Sequence, residues 1–138
     1  MANQDITDNF KYKELACKGD TTSCGGCQSL PITDLLYFHM DRLQELRVKF
    51  NSPLTITSGH RCERHNFHVG GAPNSMHLTL ATDIRPAHYS GNMEKGLDEI
   101  GSIAKEMSFG GIGLYNSFVH IDSREFLDRE IARWNNRN

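Results

Sequence analysis

The sequence predicts an α+β fold in which helices pack mainly on one side of a small antiparallel sheet. Two stretches, 33–50 and 91–107, space apolar residues at three- and four-residue steps. Short β-branched runs bounded by Gly, Pro and Ser read as strands. Near the C-terminus, Phe118-Val-His-Ile-Asp122 alternates apolar with polar residues, the period-two mark of a strand with one wet face. At 138 residues the chain has room for one domain and not for two. The expected organisation is an irregular, cysteine-bearing arm over residues 1–30 and a folded domain over 31–138.

Taken in order, Gly19, Gly25, Gly26 and several Ser/Thr residues punctuate the arm as loops. Pro31-Ile-Thr33-Asp34 opens a helix with Thr33 as N-cap. Leu35, Leu36, Met40, Leu43, Leu46 and Phe50 give that helix one apolar face. Leu54-Thr-Ile-Thr57, after Pro53, predicts a strand ending at Ser58-Gly59. Residues 61–66 suggest a helical turn, 69–74 a loop, and 80–84 a strand stopped by Pro86. Met93, Leu97, Ile100, Ile103 and Met107 mark the apolar face of a second helix, which Gly110-Gly111 ends. Ile112-Gly-Leu-Tyr115 and 118–122 follow, and the tail from Glu125 to Trp134 is helical in composition.

Apolar residues make up 38% and charged residues 23%, ordinary for a soluble globular protein. A net charge of −2 leaves no electrostatic footprint for nucleic acid or an anionic membrane. The first twenty residues lack the apolar run of a signal peptide, so the expectation is cytoplasmic synthesis, with release on host lysis compatible with it. Four cysteines without a secretory signal read as reduced thiols by default. Cys24-Gly-Gly-Cys27 has the spacing of half a zinc knuckle, with Cys17 and Cys62 available to complete it. The missing second Cys-x-x-Cys pair weighs against a structural zinc at Cys17, Cys24, Cys27 and Cys62.

The seven histidines are more telling than the charge. His120 shares a strand face with Phe118 and Asp122, and His77 precedes the strand that carries Asp83. Should these strands pair, His77, Asp83 and His120 offer three zinc ligands, with the fourth corner left to water. The competing readings are partly buried histidines with ordinary hydrogen bonds, and an Asp83–Arg85 ion pair. His39 on the first helix, His60, His65 and His68 on loops, and His88 beyond Pro86 read as surface or supporting residues.

Thr57-Ser-Gly-His-Arg61, His65-Asn66, Val69-Gly-Gly-Ala-Pro-Asn-Ser-Met-His77, Asp83-Ile84 and Gly111-Ile-Gly-Leu-Tyr…Phe-Val-His120-Ile-Asp122 occur in one order. Over about residues 30–124 that order resembles the zinc D-alanyl-D-alanine carboxypeptidases and related murein peptidases, structurally akin to the hedgehog signalling domain. The resemblance implies a hedgehog/DD-peptidase-like fold over 31–138 and one catalytic zinc held by His77, Asp83 and His120. It implies that Arg61 binds substrate and steadies an oxyanion, and that Ser75 contacts substrate or orients a neighbour. Asp122 would support the centre by fixing Arg61 or Arg124. The implied activity is hydrolysis of D-amino-acid-containing stem peptides or crosslinks of peptidoglycan by a monomer that binds neither nucleic acid nor membrane, as in a phage or prophage lysin. The alternative is a zinc-containing binding module of weak or no activity.

Two departures bear on that reading. The family pattern Ser-x-His-x-x-Gly-x-Ala-x-Asp sets its ligands seven apart, whereas His77 and Asp83 are six apart with no glycine between them. Within a strand one residue reverses the face a side chain takes, so the loop is expected to tighten for Asp83 to reach the metal. The positions where relatives carry a general base hold Ser117 and Phe118, leaving Asp122, Glu63 and His88 as unranked candidates.

Overall fold

The computed structural model describes residues 4–138. Helix α1 is a single turn, Tyr12–Leu15, and α2 runs Asp34–Phe50. Strand β1 (Leu54–Ser58) leads to the short α3 (Glu63–His68), then to β2 (Ala81–Pro86) and α4 (Met93–Glu106). β3 (Gly111–Leu114), β4 (Val119–Asp122) and β5 (Ala132–Asn135) complete the chain. 3-10 turns span Met76–Leu78 and Arg124–Leu127. The five strands form one sheet in the order β1-β2-β4-β3-β5, within an α+β architecture as the sequence predicts.

The two long helices form where the apolar stripes require them. Thr33 Oγ1 accepts from the Leu36 N–H at 3.2 Å, which fixes the start of α2. Asn51, left-handed at φ 57°, closes its end by donating to Arg47 and Val48 carbonyls. In α4, Asn92 Oδ1 caps the Lys95 N–H at 3.1 Å. Leu35, Leu36, Met40, Leu43 and Leu46 of α2 and Leu97, Ile100 and Ala104 of α4 are buried in one core with Ile56, Ile84, Ile112, Val119 and Ile121 of the sheet. Alternation sends the next residue of each inner strand, Asp83, Gly111, Gly113 and His120, to the opposite face. The helices therefore occupy one side, and the polar residues are gathered on the other.

Two elements depart from expectation. The tail is not helical: after the Arg124–Leu127 turn, Asp128 turns left-handed at φ 57° and β5 pairs in parallel with β3. β3 would otherwise present an unpaired edge, and satisfying that edge outweighs the local composition of the tail. The sheet is consequently mixed, with its other pairings antiparallel. The arm is mostly irregular, but Phe10, Leu15 and Ala16 are buried in the same core as the helices. Among the described residues no helix is long and apolar enough to cross a membrane.

His39 is a core residue rather than a surface one, fully buried where α2 crosses the sheet. Thr82 Oγ1 donates to the Ile121 carbonyl and so accepts from His39 Nε2–H at 3.0 Å; Nδ1 then accepts from Ser123 Oγ at 2.7 Å. Burial, partly offset by the nearby Asp122 charge, pushes this imidazole down to about 3. The unfolded chain therefore binds the proton more readily. The stabilising contribution of neutral His39 is complete above about pH 6.5 and is lost progressively as the pH falls towards 3. His39→Gln is expected to destabilise the metal-free protein by about 1–3 kcal/mol at neutral pH by disturbing this buried bonding. The gap should narrow in urea unfolding at about pH 4.5, where the wild type has lost part of its advantage. An unchanged gap would contradict the assignment of a neutral imidazole.

Candidate metal centre

β2 and β4 pair in a register that sets Asp83 directly opposite His120, on the face away from the helices. His77 comes from the 3-10 turn just before β2, where Ser75 Oγ accepts the His77 N–H at 3.1 Å. His77 Nδ1 lies 2.6 Å from the Gly59 carbonyl, which can only accept, so Nδ1 carries a proton and Nε2 is the atom left to face a metal. That Nε2 lies 3.2 Å from Asp83 Oδ1. His120 is set the other way round: its Nε2–H donates to Asp122 Oδ2 at 2.7 Å, leaving Nδ1 as the atom that faces a metal, 3.1 Å from the same Asp83 oxygen.

Three potential metal-donor atoms thus converge, all within 4.8 Å of one another. Tetrahedral zinc with bonds of about 2.0–2.1 Å needs ligand atoms about 3.3 Å apart, which the two Asp83 distances match. The donor chemistry also fits, since each ring is locked by a second hydrogen bond in the way that raises ligand basicity. Without a metal these same two nitrogens can carry protons and donate to Asp83: burial works to raise its pKa, but the hydrogen bonds and charge of His120 and His77 outweigh it and bring it down to about 2.

Asp122 is fully buried beneath this centre. Besides His120, it accepts from the Arg124 backbone N–H at 3.0 Å, from Nε at 3.0 Å and from Nη2 at 2.8 Å. Burial opposes its ionisation, but these partners prevail and its pKa is lowered. Gly111 faces it across the β3–β4 pair, and a Cβ there would stand 2.3 Å from the carboxylate. The partner of Asp122 is Arg124, not Arg61.

A cleft of about 500 Å³ opens above the donors, bordered by Arg61, Ser75, Tyr115, Arg124, Arg129 and Trp134 among others. Arg61 N–H donates to the His77 carbonyl at 2.7 Å and its Nη2 approaches Ser75 Oγ at 3.4 Å. Its Nε is buried without a partner, and burial lowers its pKa. Among the described residues Arg61 forms no ion pair, with Asp83, Asp122 or otherwise, and Arg85 does not pair with Asp83. Glu63 and His88 do not border the cleft. Tyr115, Arg129 and Trp134 were not singled out in the sequence. Tyr115 stacks on Phe118 at 4.4 Å and accepts from Trp134 Nε1 at 2.9 Å, so these two meet only through the unforeseen β5.

The shortened spacing is absorbed before the strand begins. Residues 76–78 turn as a 3-10 helix, Leu80 is buried, and β2 starts at Ala81, so the facing rule for strands does not reach back to His77.

Two imidazoles of opposite, preset tautomer and one carboxylate, set in the floor of an open cleft, are the donor set of a hydrolytic zinc centre. The sequence model of the peptidase M15 family matches residues 8–122, and the chain belongs to that family. It is accordingly a metallopeptidase of a family of zinc enzymes acting on peptidoglycan-derived peptides. Among curated proteins there is no match.

His77→Ala, Asp83→Ala and His120→Ala are each expected to remove one equivalent of zinc by elemental analysis. Asp122→Asn, which leaves all three donors in place, should weaken zinc binding about 10–100-fold in competition with a chelator. Wild-type affinity in that variant would sever the link between Asp122 and the metal.

Proposed function

We propose that the protein is a zinc-dependent peptidase hydrolysing D-amino-acid-containing peptides of bacterial peptidoglycan. The observation that carries this is the convergence of His77 Nε2, Asp83 Oδ1 and His120 Nδ1 below a cleft walled by Arg61. Zinc held by His77, Asp83 and His120 would supply Lewis acidity towards a scissile carbonyl and towards water. Arg61 is the substrate-side cation: held by the His77 backbone, it stabilises the negative charge developing on the carbonyl oxygen. Ser75 keeps the Arg61 guanidinium and the His77 turn in one arrangement.

Proton transfer falls to Tyr115. Asp122 is committed to His120 and Arg124, and Asp83 is the sole carboxylate bordering the cleft among the described residues. Tyr115 accepts from Trp134, which leaves its own O–H free to reach the cleft, pass its proton to the leaving amine and recover one from the attacking water.

Arg61 and Arg129 both border the cleft without a carboxylate partner among the described residues. That surplus of cation favours a substrate bearing a free carboxylate, hence removal of a terminal D-residue over cleavage of an internal crosslink. Mass analysis of products from pentapeptide and crosslinked muropeptides distinguishes the two. A role as a phage or prophage lysin rests on the same chemistry and would be tested by clearing of purified cell walls.

The second reading, a zinc-containing binding module, draws on the shortage of carboxylates in the cleft. Binding of muropeptides by the zinc-loaded protein without turnover would establish it.

Arg61→Ala should cut kcat/KM on muropeptides about 10²–10³-fold with zinc content unchanged. Tyr115→Phe should lower kcat about 10²-fold with little change in KM. Full activity in Tyr115→Phe would remove it from the mechanism.

A further inference from the structure

A second cluster of metal-type donors lies outside the cleft. The sulfurs of Cys17, Cys24, Cys27 and Cys62 all stand within 4.8 Å of one another, and none is in a disulfide. They come from three separate places: the end of α1, the turn over residues 20–27, and the N-cap of α3. Thiols attract one another weakly, so four of them gathered around one point need a cause. Two disulfides would pair the sulfurs at about 2.0 Å and would not require all four to be neighbours. A tetrahedral zinc with Zn–S bonds of about 2.3 Å requires S···S edges of about 3.8 Å, and Cys24 and Cys27 lie 3.6 Å apart.

The surrounding backbone is built for this. Gly25 and Gly26 are both left-handed, at φ 73° and 65°, and turn Cys27 back towards Cys24. The Asp20 carbonyl accepts the Cys24 and Gly26 N–H groups at 3.1 and 3.0 Å, and its carboxylate accepts those of Thr22 and Ser23. The His65 N–H is aimed at the Cys62 sulfur at 3.4 Å, as a thiolate acceptor favours. Gly19 leaves room for Cys24: a Cβ there would stand 2.4 Å from its sulfur.

We propose that Cys17, Cys24, Cys27 and Cys62 bind a second, structural zinc ion that clamps the N-terminal arm to the wall of the cleft. The clamp ends at Cys62, next to Arg61. Leu15 O accepts the His60 N–H at 2.8 Å, and Gly59 lies against the Leu15 backbone so closely that a Cβ would stand 2.5 Å from Leu15 O. The Gly59 carbonyl in turn fixes the His77 ring. The thiolate ion thus braces the segment that presents Arg61 and sets the His77 tautomer. This site shares no ligand with the cleft and stands independently of the peptidase reading.

The test is zinc per chain by elemental analysis, with zinc-edge X-ray absorption to identify the ligands, on the full chain purified under reducing conditions. The wild type is expected to hold about two equivalents. His120→Ala should keep one, with sulfur neighbours at about 2.3 Å. Cys24→Ser/Cys27→Ser should keep one with nitrogen and oxygen neighbours alone, and should melt at a lower temperature. If the cysteine variant fails to fold, His120→Ala still reads the thiolate site. Wild-type zinc of one equivalent that disappears in His120→Ala, or an intact mass showing two disulfides in the reduced preparation, overturns the proposal and leaves the cleft reading standing. One sulfur-ligated equivalent retained in both wild type and His120→Ala does the reverse.

Discussion

The register of β2 against β4 is the constraint on which the rest depends. Asp83 and His120 meet because Ile84 pairs with Val119 and Thr82 with Ile121 on either side of them. A slip of β4 by one residue would turn His120 into the core, away from Asp83, and bring Val119 and Ile121 to the surface. Burying such side chains contributes about 1.5–3 kcal/mol each, so the slip costs several kcal/mol. The apolar face packed against α2 and α4 therefore sets the metal geometry on the other face. Two of the three donor atoms owe their positions to hydrophobic burial.

The same sheet must also bury a charge. Asp122 has no access to water and is tolerated because His120 and Arg124 direct four hydrogen bonds at it. Removing one partner would strand a carboxylate in the protein interior, which makes the arrangement close to all-or-none. It also fixes what Asp122 does. A group held ionised by an arginine and sealed below the ligand ring orients His120, and has no route to a substrate proton. Gly111 belongs to this device, since any side chain there would fall on the carboxylate.

How much of this could be read from the residues depended on whether the signal was local. The stripes of α2 and α4, the Thr33 cap and the alternation of β4 are periodic features, and they appear where the sequence places them. The ligand trio was legible because His77, Asp83 and His120 sit in recognisable short motifs. β5 was not, because Ala132–Asn135 becomes a strand only when the edge of β3 is there to pair with it. Trp134 escapes notice for the same reason, and with it the bond that ties Tyr115 into the cleft wall. The arm reads as irregular because its apolar residues lack a period, yet Phe10 and Leu15 are among the most deeply buried side chains. The family match reaching back to residue 8 agrees with their place in the core. The clustering of the cysteines was half legible: Cys24 and Cys27 share a short motif, whereas Cys17 and Cys62 are brought near them by the packing of α1 against β1.

That packing leads to an asymmetry in the centre itself. Asp83 and His120 are fixed by the sheet, whereas His77 sits on a 3-10 turn, its ring aimed at Asp83 by the Gly59 carbonyl behind it. Gly59 is held from behind by the Leu15 backbone, and Leu15 by its burial in the core. The third ligand is thus only as well placed as the arm is docked. A ligand that binds the folded state alone stabilises it in proportion to the logarithm of its occupancy, so an ion in the cleft also stabilises the docked arm. By the same reciprocity, whatever holds the arm down tightens the cleft's grip on its ion. The N-terminal segment is for this reason part of the metal centre, although it contributes no donor atom to it.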